Sequence, residues 1–114
     1  MSDIIMYAGD TTVADYTVSL NGTPVDLTGL TLKWAARWKP GDSVPVIEKA
    51  TGSGIVHTDA VNGKARLTLV PTDTAALAVS SVAILVWALR LYDASDVYTV
   101  ATGLLVIEPA AQRQ

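Results

Sequence analysis

The sequence predicts an all-β antiparallel sandwich, and three observations carry that prediction. Turn signals interrupt the 114 residues at nearly regular intervals. The pieces between them alternate apolar with polar side chains, the period of a half-buried strand. The third observation is the run from Val82 to Tyr92, which has Arg90 as its one charge and no Gly or Pro. Its eleven residues are too few for a helix across a hydrocarbon layer, which takes roughly 20. β-Branched and aromatic residues fill it, and turn chemistry at Asp93-Ala94-Ser95-Asp96 follows directly. It reads as a long strand with apolar side chains on both faces.

The elements follow in order. A short strand covers Ile4 to Ala8 and ends at Gly9-Asp10. Val13 to Leu20 is the next, with Tyr16, Val18 and Leu20 on one face and Asp15, Thr17 and Ser19 on the other. Asn21-Gly22 supplies a tight turn, because both residues tolerate positive φ. Pro24 to Gly29 then crosses to the strand Leu30–Trp38. There Leu32, Trp34, Ala36 and Trp38 face inward, and Thr31, Lys33, Ala35 and Arg37 face outward. Pro40-Gly41-Asp42 ends it. Val44 to Lys49 carries Pro45, so an edge position is expected. Gly52-Ser53-Gly54 precedes the short strand Ile55-Val56-His57, and Asp59 to Gly63 turns the chain again. Lys64 to Val70 points Ala65, Leu67 and Leu69 inward. Pro71 to Leu77 is the one helical turn, with Thr72 or Asp73 as its cap. After the Val82–Tyr92 strand, the chain returns as Val97 to Ile107, with Gly103 expected to mark a bulge or kink. Seven to nine strands and one short helical turn fit an immunoglobulin-like antiparallel β-sandwich, without the Cys…Trp…Cys spacing of antibody domains. One domain spans residues 1–108, and residues 109–114 form a polar tail.

Composition narrows the function classes. Half of the residues are hydrophobic and 17% are charged, against about 25% in an average soluble domain. With a mean hydropathy of +0.36, this favours buried contacts between chains. The net charge is −3 and no cluster of Lys and Arg occurs, which argues against nucleic-acid binding through phosphate neutralisation. The absence of cysteine excludes disulfides and thiolate metal sites. No apolar segment is long enough to cross a membrane as a helix, and no basic n-region opens the sequence, so folding in the cytoplasm is expected.

Candidate chemical groups are few. His57 is the single histidine, and its near neighbours Thr58 and Asp59 do not make a catalytic set; an exposed polar role is expected. Asp10, Asp15, Asp26, Asp59, Asp73, Asp93 and Asp96 sit mostly at turns, without the closely alternating oxygen ligands of a calcium loop. Trp34 and Trp87 read as core residues meeting between sheets, while Trp38, at a strand end beside Lys39 and Pro40, is the tryptophan expected to show a face. Walker, GxGxxG, GxSxG and HExxH spacings are absent. No enzyme, cofactor or metal is expected.

The turn residues also occur in a recognisable order. Gly9-Asp10-Thr11 opens it, Gly22-Thr23-Pro24-Val25-Asp26-Leu27-Thr28-Gly29 follows, and Asn62-Gly63-Lys64 comes after an aromatic-bearing strand. Asp73-Thr74-Ala75-Ala76-Leu77 precedes a last hairpin that closes with Thr99-Val100-Ala101-Thr102-Gly103-Leu104-Leu105-Val106. In this order the chain resembles a family of small bacteriophage virion domains, those at the N-terminus of siphophage baseplate upper proteins. The family often has Gly before the last hairpin, where this sequence has Val79-Ser80-Ser81, and its domain usually heads a longer polypeptide, where this sequence ends at Gln114. The resemblance implies an Ig-like sandwich that is a structural piece of a phage particle, in baseplate or tail, neck, or head decoration, with no catalytic residues to transfer. Its implied partners are other phage structural proteins and copies of itself, and its implied location is the virion.

A small sheet needs one dry face, so a second points to another subunit, or another layer of protein, covering the outside. Leu85, Trp87, Leu89 and Leu91 point one way and Ile84, Val86 and Ala88 the other; which set lies outward stays open at this level. The expected contact residues are Ile4, Ile5, Tyr7, Trp38, Ile84, Val86 and Tyr92. Residues 2–8 are alternatively an arm that adds a strand to a neighbour. The other reading is a carbohydrate- or host-surface-binding module using Trp38 and the aspartates.

Overall fold

Alternation in sequence becomes alternation of burial. In a computed structural model that describes residues 3–75, 77, 81–93 and 96–109, β5 (Thr31–Arg37) buries Leu32, Trp34 and Ala36. The strand β8 (Lys64–Leu69) buries Ala65, Leu67 and Leu69 in the same way. Among the described residues the other strands are β1 (Ile4–Tyr7), β2 (Thr12–Thr17), β3 (Ser19–Leu20), β4 (Thr23–Pro24), β6 (Ile47–Thr51), β7 (Gly54–Asp59), β9 (Ala83–Asp93) and β10 (Asp96–Glu108). The helical pieces are α1 (Pro71–Thr74) and a 3-10 turn at Ala60–Asn62.

Eight strands form one hydrogen-bonded ladder in the order β1-β10-β9-β5-β6-β7-β8-β2, while β3 and β4 pair separately. The ladder is folded over. Tyr16 on β2 and Trp87 on β9 bring their ring centroids within 5.6 Å, although they are five strands apart in the ladder. In a flat sheet, strands spaced about 4.8 Å apart would hold them more than 20 Å away. The fold line is the β6–β7 junction, where Ala50 pairs with Gly54 and Thr51 with Ile55. One layer is therefore β1-β10-β9-β5-β6 and the other β7-β8-β2. The all-β Ig-like sandwich expected from the sequence is the fold observed.

Between the layers lies the core, built from Leu32, Trp34, Leu67, Leu69, Leu85, Trp87, Leu89, Leu91, Leu105 and Ile107 among others. Trp34 stacks on Trp87 at 6.0 Å, but within one layer, on the adjacent strands β5 and β9, rather than between sheets as expected; Tyr16 tilts against Trp87 from the other layer. Antibody domains place an inter-sheet disulfide against a buried tryptophan. Here, with no cysteine in the chain, three aromatic rings bridge the layers. Their polar atoms are the cost: Tyr16 Oη, Trp34 Nε1 and Trp87 Nε1 are buried without hydrogen-bond partners.

Several local expectations need correction. β6 is interior to the ladder rather than at an edge, because Pro45 precedes the strand and removes no ladder donor from it. Gly103 stays in register opposite Trp87; the irregularity lies between Thr99 and Ala101. The cap of α1 works in reverse of the usual order: the Val70 N–H donates to Asp73 Oδ2 at 2.7 Å, so Asp73 reaches back from the first turn. Residues 2–8 do not extend as an arm within the described part: Ile4–Tyr7 pairs in parallel with Leu105–Glu108 of its own chain. The turn residues Ala94 and Ser95, the Val79-Ser80 pair and the tail from 110 onward lie outside the described residues.

Candidate functional site

Burial settles the orientation of β9. Ala83, Leu85, Trp87, Leu89 and Leu91 are buried, so Ile84, Val86, Ala88, Arg90 and Tyr92 form the outer face. Strand pairing extends that face sideways in rows. Ile5 on β1 lies beside Val106 on β10, which lies beside Ile84 on β9. The next row sets Leu104 beside Val86 and Val86 beside Arg37. Ile5 is 67% exposed and Ile84 53%, and Val82 and Tyr7 are exposed at the same end. These side chains make an apolar patch with no described residue of this chain above it.

The outer face of the opposite layer is different in kind. There Asp15 and Arg66 are cross-strand partners joined by a 2.8 Å ion pair, with Lys64, Thr17 and Thr68 around them. The Arg66 guanidinium holds the Asp15 carboxyl below its usual value through their hydrogen bond, and the exposed pair stays in water. Val13 and Val56 are scattered among these polar groups. Of the two outer faces, one is wet and the other is apolar at one end.

The expected contact residues do not all gather there. Ile5, Tyr7, Ile84 and Val86 share the apolar end of the outer face. Ile4 has Leu105 as its partner, faces inward and packs against the core. Tyr92 lies at the other end of β9, beside Val97 and Thr31, with Lys33 Nζ 4.8 Å above its ring. Trp38 follows the end of β5 and is 48% exposed, against the inward parity of its strand but in line with its place beside Pro40. Val82, Leu104 and Val106 belong to the patch and were not singled out in the sequence. Their signal was present: Leu104 and Val106 sit at odds with Leu105 and Ile107 in an apolar run, as Val86 does with Leu85.

Beyond the patch, the same face becomes basic. A groove of about 430 Å³ crosses the strands, lined by Arg37, Val86, Arg90, Thr99, Thr102 and Leu104, among others. Its floor is Ala88, a small side chain between Val86 and Arg90 on β9, with Thr102 beside it on β10. Arg37 Nε donates to the Asp42 carbonyl at 2.9 Å, which fixes the side chain along the rim.

His57 is not an exposed polar residue. It is half-buried and makes a 3.0 Å hydrogen bond through Nε2 to Thr51 Oγ1, which itself accepts the Leu32 N–H at 2.9 Å. That chain of bonds links β5, β6 and β7 at the fold line. Three of the seven aspartates bond within their turns: Asp26 Oδ1 accepts the Thr28 N–H, Asp59 Oδ2 accepts from Asn62 and Asp73 Oδ2 accepts the Val70 N–H. Asp15 instead pairs with Arg66 along a strand, and Asp96 meets the Tyr98 hydroxyl. Among the described residues no group of three or more His, Cys, Asp or Glu is placed to hold a metal, and no helix is long and apolar enough to cross a membrane.

No family model and no curated protein matches the sequence. Among solved structures, the chain is similar to the NK cell receptor Nkp44, described as a triggering partner in natural cytotoxicity. The match has 13% identity and a TM-score of 0.54 and covers 95% of this chain and 96% of that one. A likeness at this level shows the immunoglobulin-like fold and carries nothing further.

Proposed function

We propose that this chain is a non-enzymatic structural component of a bacteriophage virion, which assembles with other phage structural proteins or with copies of itself through the outer face of the five-stranded layer. The observation that carries the assembly reading is the row Ile5–Val106–Ile84, with Val86 and Leu104 beside it: apolar side chains at one end of a sheet face, with no described residue of this chain over them. A contiguous exposed apolar patch rimmed by polar residues is the usual mark of an interaction surface. The phage setting rests on the order of the turn residues from Gly9 to Val106.

Covering the patch removes apolar area from water at roughly 25 cal/mol per Å², and a stable interface buries about 800 Å² on each partner. Ordering and association costs consume much of that gross gain, so the packed centre rather than the total area decides affinity. Ile84, between Val106 and the rim, holds that centre.

The test is assembly of the purified protein, alone and with purified baseplate, tail, neck and head proteins of the same particle. Sedimentation or native mass measurement is expected to show a defined complex. Ile84→Asp is expected to abolish it while leaving the circular dichroism spectrum and the unfolding midpoint nearly unchanged, since the side chain is outside the core. A wild-type protein that stays monomeric at high concentration and binds none of those proteins overturns the reading.

A further inference from the structure

The groove beside the apolar patch has a chemistry of its own, and it names the kind of partner. We infer that it receives an extended acidic segment of a different protein, with carboxylates against Arg37 and Arg90 and apolar side chains on Val86 and Leu104. The inference deepens the assembly reading above and rests on it for the supposition that this face is covered.

The protein as a whole carries a net charge of −3, yet the middle of this face collects Lys33, Arg37 and Arg90 against Glu48, with Asp3 at the edge beyond, where its Oδ1 accepts the Leu104 N–H at 3.1 Å. Lys33 and Arg90 are cross-strand partners, so two like charges sit side by side, an arrangement that costs stability. Among the described residues no ion pair involves Lys33, Arg37 or Arg90; those formed are Lys49–Asp73 and Asp15–Arg66. The charges of Lys33, Arg37 and Arg90, met only by the Asp42 carbonyl at Arg37 and the Tyr92 ring at Lys33, are open to a partner of opposite sign. Thr99 and Thr102 on the far wall add hydroxyl donors and acceptors. The volume of about 430 Å³ lies within the usual range for ligand-binding clefts. Its apolar wall is continuous with the patch, since Val86 and Leu104 belong to both.

A second copy meeting this groove about a two-fold axis would set Arg37, Arg90 and Lys33 against themselves. Like charges facing across an interface act against a partner, so the groove selects a heterologous, acidic one. An extended segment suits the shape, because the groove runs across the strands from Arg37 on β5 to Thr102 on β10.

Isotope-labelled protein carrying Ile84→Asp, to keep it monomeric, is titrated with three capped octapeptides that alternate Leu with Glu, with Gln or with Lys. The Leu/Glu peptide is expected to shift the amides of Ala88, Thr102 and Leu104 saturably, and to bind at least tenfold more tightly than the other two. Arg90→Gln, at an exposed position, is expected to weaken it several-fold, and Arg37→Gln with it to remove the preference for Glu over Gln. Raising the salt concentration acts in the same direction. Equal binding of the three peptides, shifts mapping elsewhere, or no saturable response at millimolar peptide overturns the proposal. So do concentration-dependent shifts of these amides in the wild-type protein without peptide, which would place a second copy in the groove. Peptide binding without assembly of the wild type leaves the groove standing and removes the assembly reading; assembly lost in Ile84→Asp with no peptide binding does the reverse.

Discussion

Tyr16 shows how a single residue records the compromise in this core. Its ring bridges the two layers, but its hydroxyl is buried without a well-formed hydrogen bond, and burial pushes its pKa up to about 12 against a smaller lowering by the neighbouring Trp34 N–H. An unsatisfied buried polar group costs about 1–3 kcal/mol, so Tyr16→Phe is expected to leave stability unchanged or raise it. The sign with pH follows from the same burial. The folded state holds the proton to about pH 12 while the unfolded chain releases it near 10. Stability from this group is therefore full below pH 10 and falls as pH rises toward 12. Urea unfolding of the wild type and Tyr16→Phe, compared between pH 9 and about 11.5, is expected to show a shallower alkaline decline in the variant. A second residue-scale expectation concerns Thr51. Its hydroxyl accepts the Leu32 N–H and meets His57 Nε2, and a valine of the same shape would orphan both groups. Thr51→Val is expected to lower stability by about 1–3 kcal/mol, and His57→Ala by less, since it leaves the Leu32 N–H bonded.

Elements were legible in the sequence where one face is polar. β5 and β8 alternate cleanly, so their buried sets were fixed by period alone. β9 was not, because Leu85, Trp87 and Leu89 differ little in hydrophobicity from Ile84 and Val86. The inner set is decided by its partners, Tyr16 across the core and Trp34 on the neighbouring strand, which no local pattern reveals. The bulge at Thr99–Ala101 was equally hidden, as Val100 is an ordinary strand residue. Proline misled at β6, where a position two residues before the strand looked like one inside it. Turn residues were legible for a stronger reason, since positive φ restricts residue type. Gly63 adds a steric demand: with φ +75°, it sits where a Cβ would lie 2.5 Å from the Val18 carbonyl oxygen. The Val18 N–H donates back to the Gly63 carbonyl at 2.7 Å, so the two backbones cannot simply part. Gly63→Ala is expected to cost more than the roughly 1 kcal/mol of left-handed strain alone, measured as a drop in the unfolding midpoint well beyond that of Gly22→Ala, whose Cβ would meet open space.

At the scale of the molecule, the sandwich is closed along one margin by its first strand. β1 pairs in parallel with the last residues of β10, buries Met6, and is tied to α1 by the Gly9 N–H donating to Thr74 Oγ1 at 3.0 Å. The same four residues present Ile5 and Tyr7 to the apolar patch, so the strand that seals the core also builds part of the surface proposed for assembly. The sequence placed Ile5 and Tyr7 at a contact and gave no sign that β10 is the partner, because parallel pairing between the two ends of a chain leaves no local signature. Separating the two roles of β1 is possible. Removing residues 1–8 exposes Met6's site and an unpaired edge over Leu105–Glu108, and unprotected edges recruit other strands. The truncated protein is expected to lose about 2–5 kcal/mol from the vacated core site and to aggregate with extended-strand infrared absorption. Ile5→Asp in the full chain keeps Met6 buried and the edge paired. It is expected to remain within about 0.5 kcal/mol of wild type in urea unfolding while losing the defined complex, as Ile84→Asp does. If Ile5→Asp assembles normally while Ile84→Asp does not, the contact stops at β10, and β1 serves only to seal the fold.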